Sequence, residues 1–198
     1  MCGRYYIASE DSDEQLRQLI DELNRREDRE KAQFKTGEVF PGDNALVVCL
    51  NKKLVSRPFV MQWGFTGGDG GLLINARSES AHQKPMFRDL VQFRRALIYA
   101  NGYYEWEKNG KAKTKYALST EDNFLFLAGL YRPKAYESGH EFVILTKDAA
   151  PGIQFIHHRM PVAFSAREAQ AWLNPDNDYE RIVRDSIDTF YYSKAEGM

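Results

Sequence analysis

The chain has 198 residues, a formal net charge of −1, and 43% hydrophobic and 28% charged residues; that length suits one domain, or two small ones at most, with a buried core. No run is apolar enough to span a bilayer and none has the pattern of a signal peptide, and the near-zero charge excludes a global basic field, so a polyanion would have to meet a local basic patch. The only cysteines are Cys2 and Cys49, which excludes a disulfide framework and suits a reducing setting, cytoplasmic (nucleoid-associated) or nuclear.

In chain order, Ser12-Asp13-Glu14-Gln15 reads as a capping box. It opens a helix whose Leu16, Leu19, Ile20 and Leu23 fall at i, i+3, i+4 and i+7. The charged run Asn24 to Lys31 reads as a solvated loop. Ala45 to Leu50 and Leu54 to Trp63 are predicted strands joined by the polar turn Asn51-Lys52-Lys53. Pro58 marks a sheet edge or bulge in the second, and Cys49 is a small buried hydrophobe. The loop Gly67-Gly68-Asp69-Gly70-Gly71 lacks the Lys and Ser/Thr of a phosphate-binding loop and is a connection. Leu72 to Glu79 reads as extended, with a short helix near Phe87 to Phe93. Arg95 to Tyr99 and Tyr103 to Trp106 are strands broken at Asn101-Gly102, and Asn109-Gly110 within Lys108-Asn109-Gly110-Lys111 signals a hairpin into Lys115 to Leu118. Phe124 to Tyr131 and Glu141 to Thr146 are further strands. Ser165-Ala166-Arg167-Glu168 is a second capping box, its helix ending before Pro175. A helical turn or two around Tyr179 to Asp185 precedes an aromatic tail, Phe190-Tyr191-Tyr192. The fold class is α+β, a single domain over residues 1–198, with a mostly antiparallel, barrel-like sheet and peripheral helices.

If Met1 is removed, as the small side chain at position 2 permits, Cys2 carries a free amine and a thiol on adjacent carbons. The amine can condense with an aldehyde, and the thiolate can close onto the same carbon to give a five-membered thiazolidine. Reference pKa values of about 8 for the amine and about 8.5 for the thiol suit such work near neutrality, and a thiolate is a good nucleophile. Groups that could serve it lie at strand spacing, where residues two apart share a face. They are Asn75, Arg77 and Glu79; Tyr103 and Glu105; and His157 and Arg159, with His158 on the opposite face. Each has an ordinary alternative, such as Glu105 pairing with a lysine across the hairpin. Four histidines and two cysteines without C-x-x-C or H-x-x-x-H spacing speak against zinc, so neither a metal nor a cofactor is expected.

Four blocks then stand out together: Met1-Cys2-Gly3-Arg4, Asn75-Ala76-Arg77-Ser78-Glu79, Asn101-Gly102-Tyr103-Tyr104-Glu105-Trp106 and His157-His158-Arg159-Met160-Pro161. In order and spacing they closely resemble the SRAP (SOS response-associated peptidase) family, and they extend over nearly the whole chain. The family often has a cysteine and a proline where this chain has Ala96 and Tyr99, positions outside the chemistry. The resemblance implies a sensor of abasic sites in single-stranded DNA that cross-links to them covalently, in a sheet-rich fold with a positively charged DNA channel. An open abasic sugar presents the aldehyde that an aminothiol captures, so the two lines converge.

On this reading Cys2 is the nucleophile, Glu105 the general acid/base with a pKa raised by a crowded site, and His157 a second proton carrier. Asn75 orients the sugar or Cys2. Arg4, Arg77 and Arg159 meet phosphates. Trp63, Trp106 and Met160 stack or wedge against bases, although Trp63 and Trp106 fit a core equally well. Pro41, Phe40 and the Gly67 to Gly71 loop line the channel. Expected partners are abasic single-stranded DNA and replication-fork proteins, with no membrane. One subunit suffices for the chemistry, so a monomer is expected. The alternatives are a thiol peptidase or autopeptidase, with Cys2 as nucleophile and His157 as base, and a non-catalytic single-stranded DNA-binding module.

Overall fold

The computed structural model describes residues 2–8, 13–25, 33–68, 70–110, 112–135 and 137–195. β1 (Tyr5–Ile7) leads to α1 (Glu14–Asn24), and then β2 (Gly37–Val39), β3 (Asn44–Leu50), β4 (Ser56–Trp63), β5 (Phe65–Thr66), β6 (Leu72–Leu73) and β7 (Asn75–Arg77) follow. After helices α2 (Ser78–Ala81) and α3 (Pro85–Phe93) come β8 (Arg95–Ala100), β9 (Gly102–Asn109), β10 (Ala112–Ser119), β11 (Leu125–Pro133) and β12 (His140–Asp148). β13 (Arg159–Pro161), β14 (Ala163–Phe164), α4 (Ala166–Leu173), α5 (Tyr179–Arg184) and β15 (Tyr191–Lys194) complete the chain.

The long apolar strands build the centre. β12 pairs with β4, β4 with β3, β3 with β8, β8 with β11, and β11 returns to β12, so that five strands close a ring. β7, β13 and β14 add to it, and a second sheet runs β15-β10-β9-β1-β2. The barrel-like, mostly antiparallel α+β architecture follows directly from these runs. Two pairings depart from it: β12 runs parallel to β4 and to β7. Pro58 sits opposite Val48, in the part of β4 that pairs with β3 and not with β12, whose partners are Gln62 and Trp63. A residue without an N–H is tolerated at such an edge.

α1 lays Leu16, Leu19 and Leu23 into the core. Its cap is Asp13, whose Oδ1 accepts from the Leu16 N–H at 3.0 Å; the Ser12 of the expected capping box lies outside the described residues. Ser165 and Glu168 do form the second capping box, with Ser165 N–H donating to Glu168 Oε2 at 3.2 Å. The aromatic tail is a correction: Tyr191 and Tyr192 begin β15, which pairs along β10. Glu79 is another, since the chain turns helical at Ser78 and takes Glu79 off the strand that carries Asn75 and Arg77.

The break at Asn101-Gly102 has two causes. A Cβ at Gly102 would lie 2.3 Å from the Leu118 carbonyl oxygen and 2.5 Å from the Tyr6 hydroxyl, so only glycine permits β9 to approach β10 there. Asn101 is buried and accepts from the Ala8 N–H at 2.7 Å while donating to Asp13 at 2.9 Å and to the Asn123 carbonyl at 2.8 Å. Tyr99 donates its hydroxyl proton to the same Asp13 carboxylate. One cluster therefore fixes the end of β1 and the start of α1.

Candidate active site and nucleic-acid groove

β1 is held antiparallel to β9 with Tyr5 opposite Tyr103, and Tyr104 N–H donates to the Arg4 carbonyl at 2.8 Å. This register carries the preceding residues toward Glu105, and Cys2 is fully buried there. Its carbonyl accepts from Asn75 Nδ2 at 2.9 Å, a bond that ties the chain start to β7. Asn75 Oδ1 is buried with no donor among the described residues.

Alternation along β9 turns Tyr103 and Glu105 inward. Glu105 is nearly inaccessible, with Oε1 accepting the Trp106 N–H at 3.4 Å. Its charge is felt by three neighbours. Burial, then Glu105, pushes the Cys2 thiol up to about 12. Burial, then Cys2 and Glu105, raises Tyr103 well above the ordinary phenol range. Burial pulls His157 below the usual imidazole value, and Glu105 opposes that pull. The structure thus gathers Cys2, Asn75, Glu105 and His157 into one largely buried cluster.

His157 lies in the loop before β13, not on a strand. Its Nδ1 accepts from the Arg159 N–H at 2.9 Å, and its ring stacks on that of His158 with centroids 4.3 Å apart. The expectation that the two histidines point apart fails because the backbone here is not extended.

Beside the pocket an open groove of about 660 Å³ is lined by Arg4, Phe40, Trp106, Lys113, Lys115 and Lys194, among others. The Arg4 guanidinium stacks over Phe40 at 4.2 Å and over Trp106 at 5.1 Å, and pairs with Glu38 at 3.2 Å. Lys115 also pairs with Glu38, across the sheet. One half-buried carboxylate faces a row of cations, with two aromatic faces alongside. Sequence reasoning missed Glu38 and all three lysines. The alternation of Lys113 and Lys115 on β10 was the available signal.

Other sequence candidates fall elsewhere. Trp63 is wholly buried, donates Nε1–H to the Ile74 carbonyl at 3.0 Å and packs between Tyr5 and Phe142, so it is core. Met160 is also core, its sulfur accepting the Ala150 N–H at 3.5 Å. Arg159 is buried. Its guanidinium forks onto Glu79 at 2.7 and 2.9 Å and takes Asp148 at 2.6 Å and the Thr146 carbonyl at 2.5 Å. Those carboxylates occupy the donors that a phosphate would need. Arg77 is exposed at the start of α2. Pro41 is half-buried in the turn after Phe40, and neither it nor any described residue of Gly67 to Gly71 lines the groove. Among the described residues no group of three or more His, Cys, Asp or Glu could hold a metal ion, and no helix is long and apolar enough to cross a membrane.

Residues 1–195 match the family described as SOS response associated peptidase (SRAP). The abasic site processing protein YedK of Escherichia coli is 29% identical over 181 residues, covering 89% of this chain and 81% of its own. The abasic site processing protein YoaM of Bacillus subtilis is 30% identical over 189 residues, with the same coverage of 89% and 81%. In three dimensions a crystal structure of a protein from Bacteroides thetaiotaomicron superimposes with a TM-score of 0.79 over 98% of this chain and 92% of that one, at 19% sequence identity.

Proposed function

Because the chain belongs to the SOS response associated peptidase (SRAP) family, we propose that it processes abasic sites in single-stranded DNA by linking Cys2 covalently to the ring-opened sugar. The observation that carries this reading is that buried Cys2, tied to Asn75 by a 2.9 Å hydrogen bond, and half-buried His157 both lie within reach of the charge of buried Glu105.

With Met1 removed, the Cys2 amine adds to the sugar aldehyde and gives a carbinolamine. Loss of one water leaves an imine. The thiol then adds across the C=N bond, so that an S–C bond forms, the imine π bond breaks and the thiol proton ends on nitrogen; the net change is loss of one water. The amine leads because the thiol is held protonated. Burial and the neighbouring Glu105 both push the thiol up, so little of it is ionised near neutrality. Both steps need a proton carrier at hand, and Glu105 is assigned the role: it moves the amine proton to the departing hydroxyl as the imine forms, and then the thiol proton from sulfur to the imine nitrogen as the ring closes. His157, its basicity lowered by burial, is neutral at pH 7 and serves as the second proton carrier, at the sugar oxygen. Asn75 holds the Cys2 carbonyl, and its open Oδ1 suits an N–H of the processed terminus. The groove of Arg4, Trp106 and the three lysines carries the strand by phosphate pairing and base stacking.

Intact-mass measurement of the processed protein mixed with an abasic oligonucleotide tests the reading. A product at the summed masses less one water, stable to denaturing electrophoresis and absent with Cys2→Ala or with a retained N-terminal tag, is expected. A fully processed protein that leaves the abasic strand unmodified would overturn it.

A further inference from the structure

A second cleft, of about 600 Å³, opens where β3 and β11 end and β8 and β12 begin, and shares no residue with the Cys2 pocket or the basic groove. Its floor and walls are apolar, from Leu50, Phe59, Met61, Phe93 and Leu173. Lys52, Arg94, Arg95 and His140 also line it, and among the described residues no Asp or Glu does. In a chain of net charge −1, that is a local excess of positive charge on an apolar surface.

Two features make the rim unusual. Leu54 is 71% exposed and Phe93 68% exposed, and both line the cleft. Leu54 also holds a left-handed backbone, φ +57°, which an L side chain adopts only when its surroundings impose it. The imposing residue is Asn51, whose side chain accepts from the N–H groups of Lys53 and Val55 at 2.8 and 3.1 Å while Leu54 N–H donates to its carbonyl at 2.9 Å. A rigid, strained turn thus presents a leucine to solvent. In the same lining Arg95 is buried and spends its donors on the carbonyls of Val91, Trp172, Asn174 and Asn177, and the Asp178 carboxylate acts on its charge without a direct bond. Arg94 stacks over Tyr131 at 5.7 Å.

We propose that this cleft docks a short extended segment of a partner protein in which apolar or aromatic residues adjoin a run of carboxylates. The apolar side chains would cover Leu54 and Phe93, and the carboxylates would meet Lys52, Arg94 and the field of Arg95. Charge complementarity selects the acidic segment, and the apolar lining disfavours a nucleic-acid strand. The Cys2 chemistry is independent of this surface, so the docked segment would bring the enzyme to a partner and not alter the pocket.

Fluorescence anisotropy with three labelled hexapeptides tests the assignment on the full chain. Asp-Asp-Asp-Leu-Leu-Phe should bind at least tenfold more tightly than Lys-Lys-Lys-Leu-Leu-Phe and than Asp-Asp-Asp-Gly-Gly-Ser. Leu54→Ser, Phe93→Ser and Arg94→Glu, all at or near the surface, should each weaken it at least fivefold while circular dichroism stays unchanged. Equal binding of the three peptides, insensitivity to Leu54→Ser and Phe93→Ser together, or displacement of the acidic peptide by an equimolar oligo-dT strand would each overturn the proposal.

Discussion

Neither Cys2 nor Cys49 is in a disulfide, and both are buried in the same continuous core, yet their neighbours differ in kind. Around Cys49, on β3, the cross-strand residues are Ala96 and Arg57, and the polar companion is the Tyr131 hydroxyl. Around Cys2 stand a buried carboxylate, an imidazole and the amide of Asn75. Burial by itself makes a thiol inert, because it penalises the thiolate. What separates the two positions is the set of groups able to take a proton from the sulfur when an electrophile arrives. The sharpest break of the comparison is therefore Cys2→Ala, which should abolish the denaturation-resistant adduct altogether. Cys49→Ala should leave adduct yield and rate unchanged. An adduct that survived Cys2→Ala would move the chemistry off the chain start.

The carboxylate is the next lever. Glu105→Gln keeps the shape and removes the base, and a loss of about 10²-fold or more in cross-linking rate is expected, within the usual range for a general acid/base. A stopped-flow or quench time course with a fixed abasic oligonucleotide measures it. Cys2→Ser should behave differently from both: it retains the amine, so borohydride should trap its imine, while the unreduced product should not persist on a denaturing gel. His157 should contribute less, about tenfold. Its pKa lies below the ordinary 6.5 because burial disfavours the imidazolium. As a base it works while neutral, so beyond the decline that protonation of the Cys2 amine (reference pKa about 8) imposes on the protein and its variants alike, a further fall should set in only as pH drops through that lowered value. His157→Gln should flatten that acid limb as well as lower the plateau, and a limb that persists unchanged in the variant would assign it to another group.

Much of this fold is legible in the chain, and the places where it is not share a cause. The runs that become β3, β4, β8, β11 and β12 are apolar enough to announce themselves, as is the apolar face of α1. β1 and β2, of three residues each, carry too few side chains for any period to show. The ring includes a parallel pairing of β12 with β4, and β7 joins β12 in parallel as well; both join distant segments, and no local pattern encodes such a pairing. Among site residues, Cys2, Asn75, Glu105 and His157 could be named by chemistry and block order. Their convergence depends on β1 lying beside β9, which only the folded register supplies. Trp63 and Met160 look from sequence like Trp106, an amphipathic or apolar side chain inside a polar block. Burial in three dimensions is what separates core from groove.

Arg4 and Arg159 repeat the lesson for charge, and they give the smallest predicted effects. Both sit in blocks that suggest phosphate contacts. Arg4 is half-exposed, stacked on Phe40 and Trp106, and shares Glu38 with Lys115. Its guanidinium can exchange one carboxylate for a phosphate at little cost, so Arg4→Ala should weaken non-covalent binding of intact single strands several-fold. It should also lower the slope of log K against log salt by about 0.7, the share of one released counterion on a single strand. Arg159 would have to abandon Glu79, Asp148 and the Thr146 carbonyl together. Its substitution by methionine should leave that slope unchanged and instead destabilise the fold by about 2 kcal/mol, less than a fully buried pair would cost, because its carboxylate partners face solvent. For a chain of this length that corresponds to a fall in Tm of about 4–8 °C. An altered salt slope in Arg159→Met without a change in Tm would mean that the fork on Glu79 opens for DNA, and the division between a binding arginine and a framework arginine would fail.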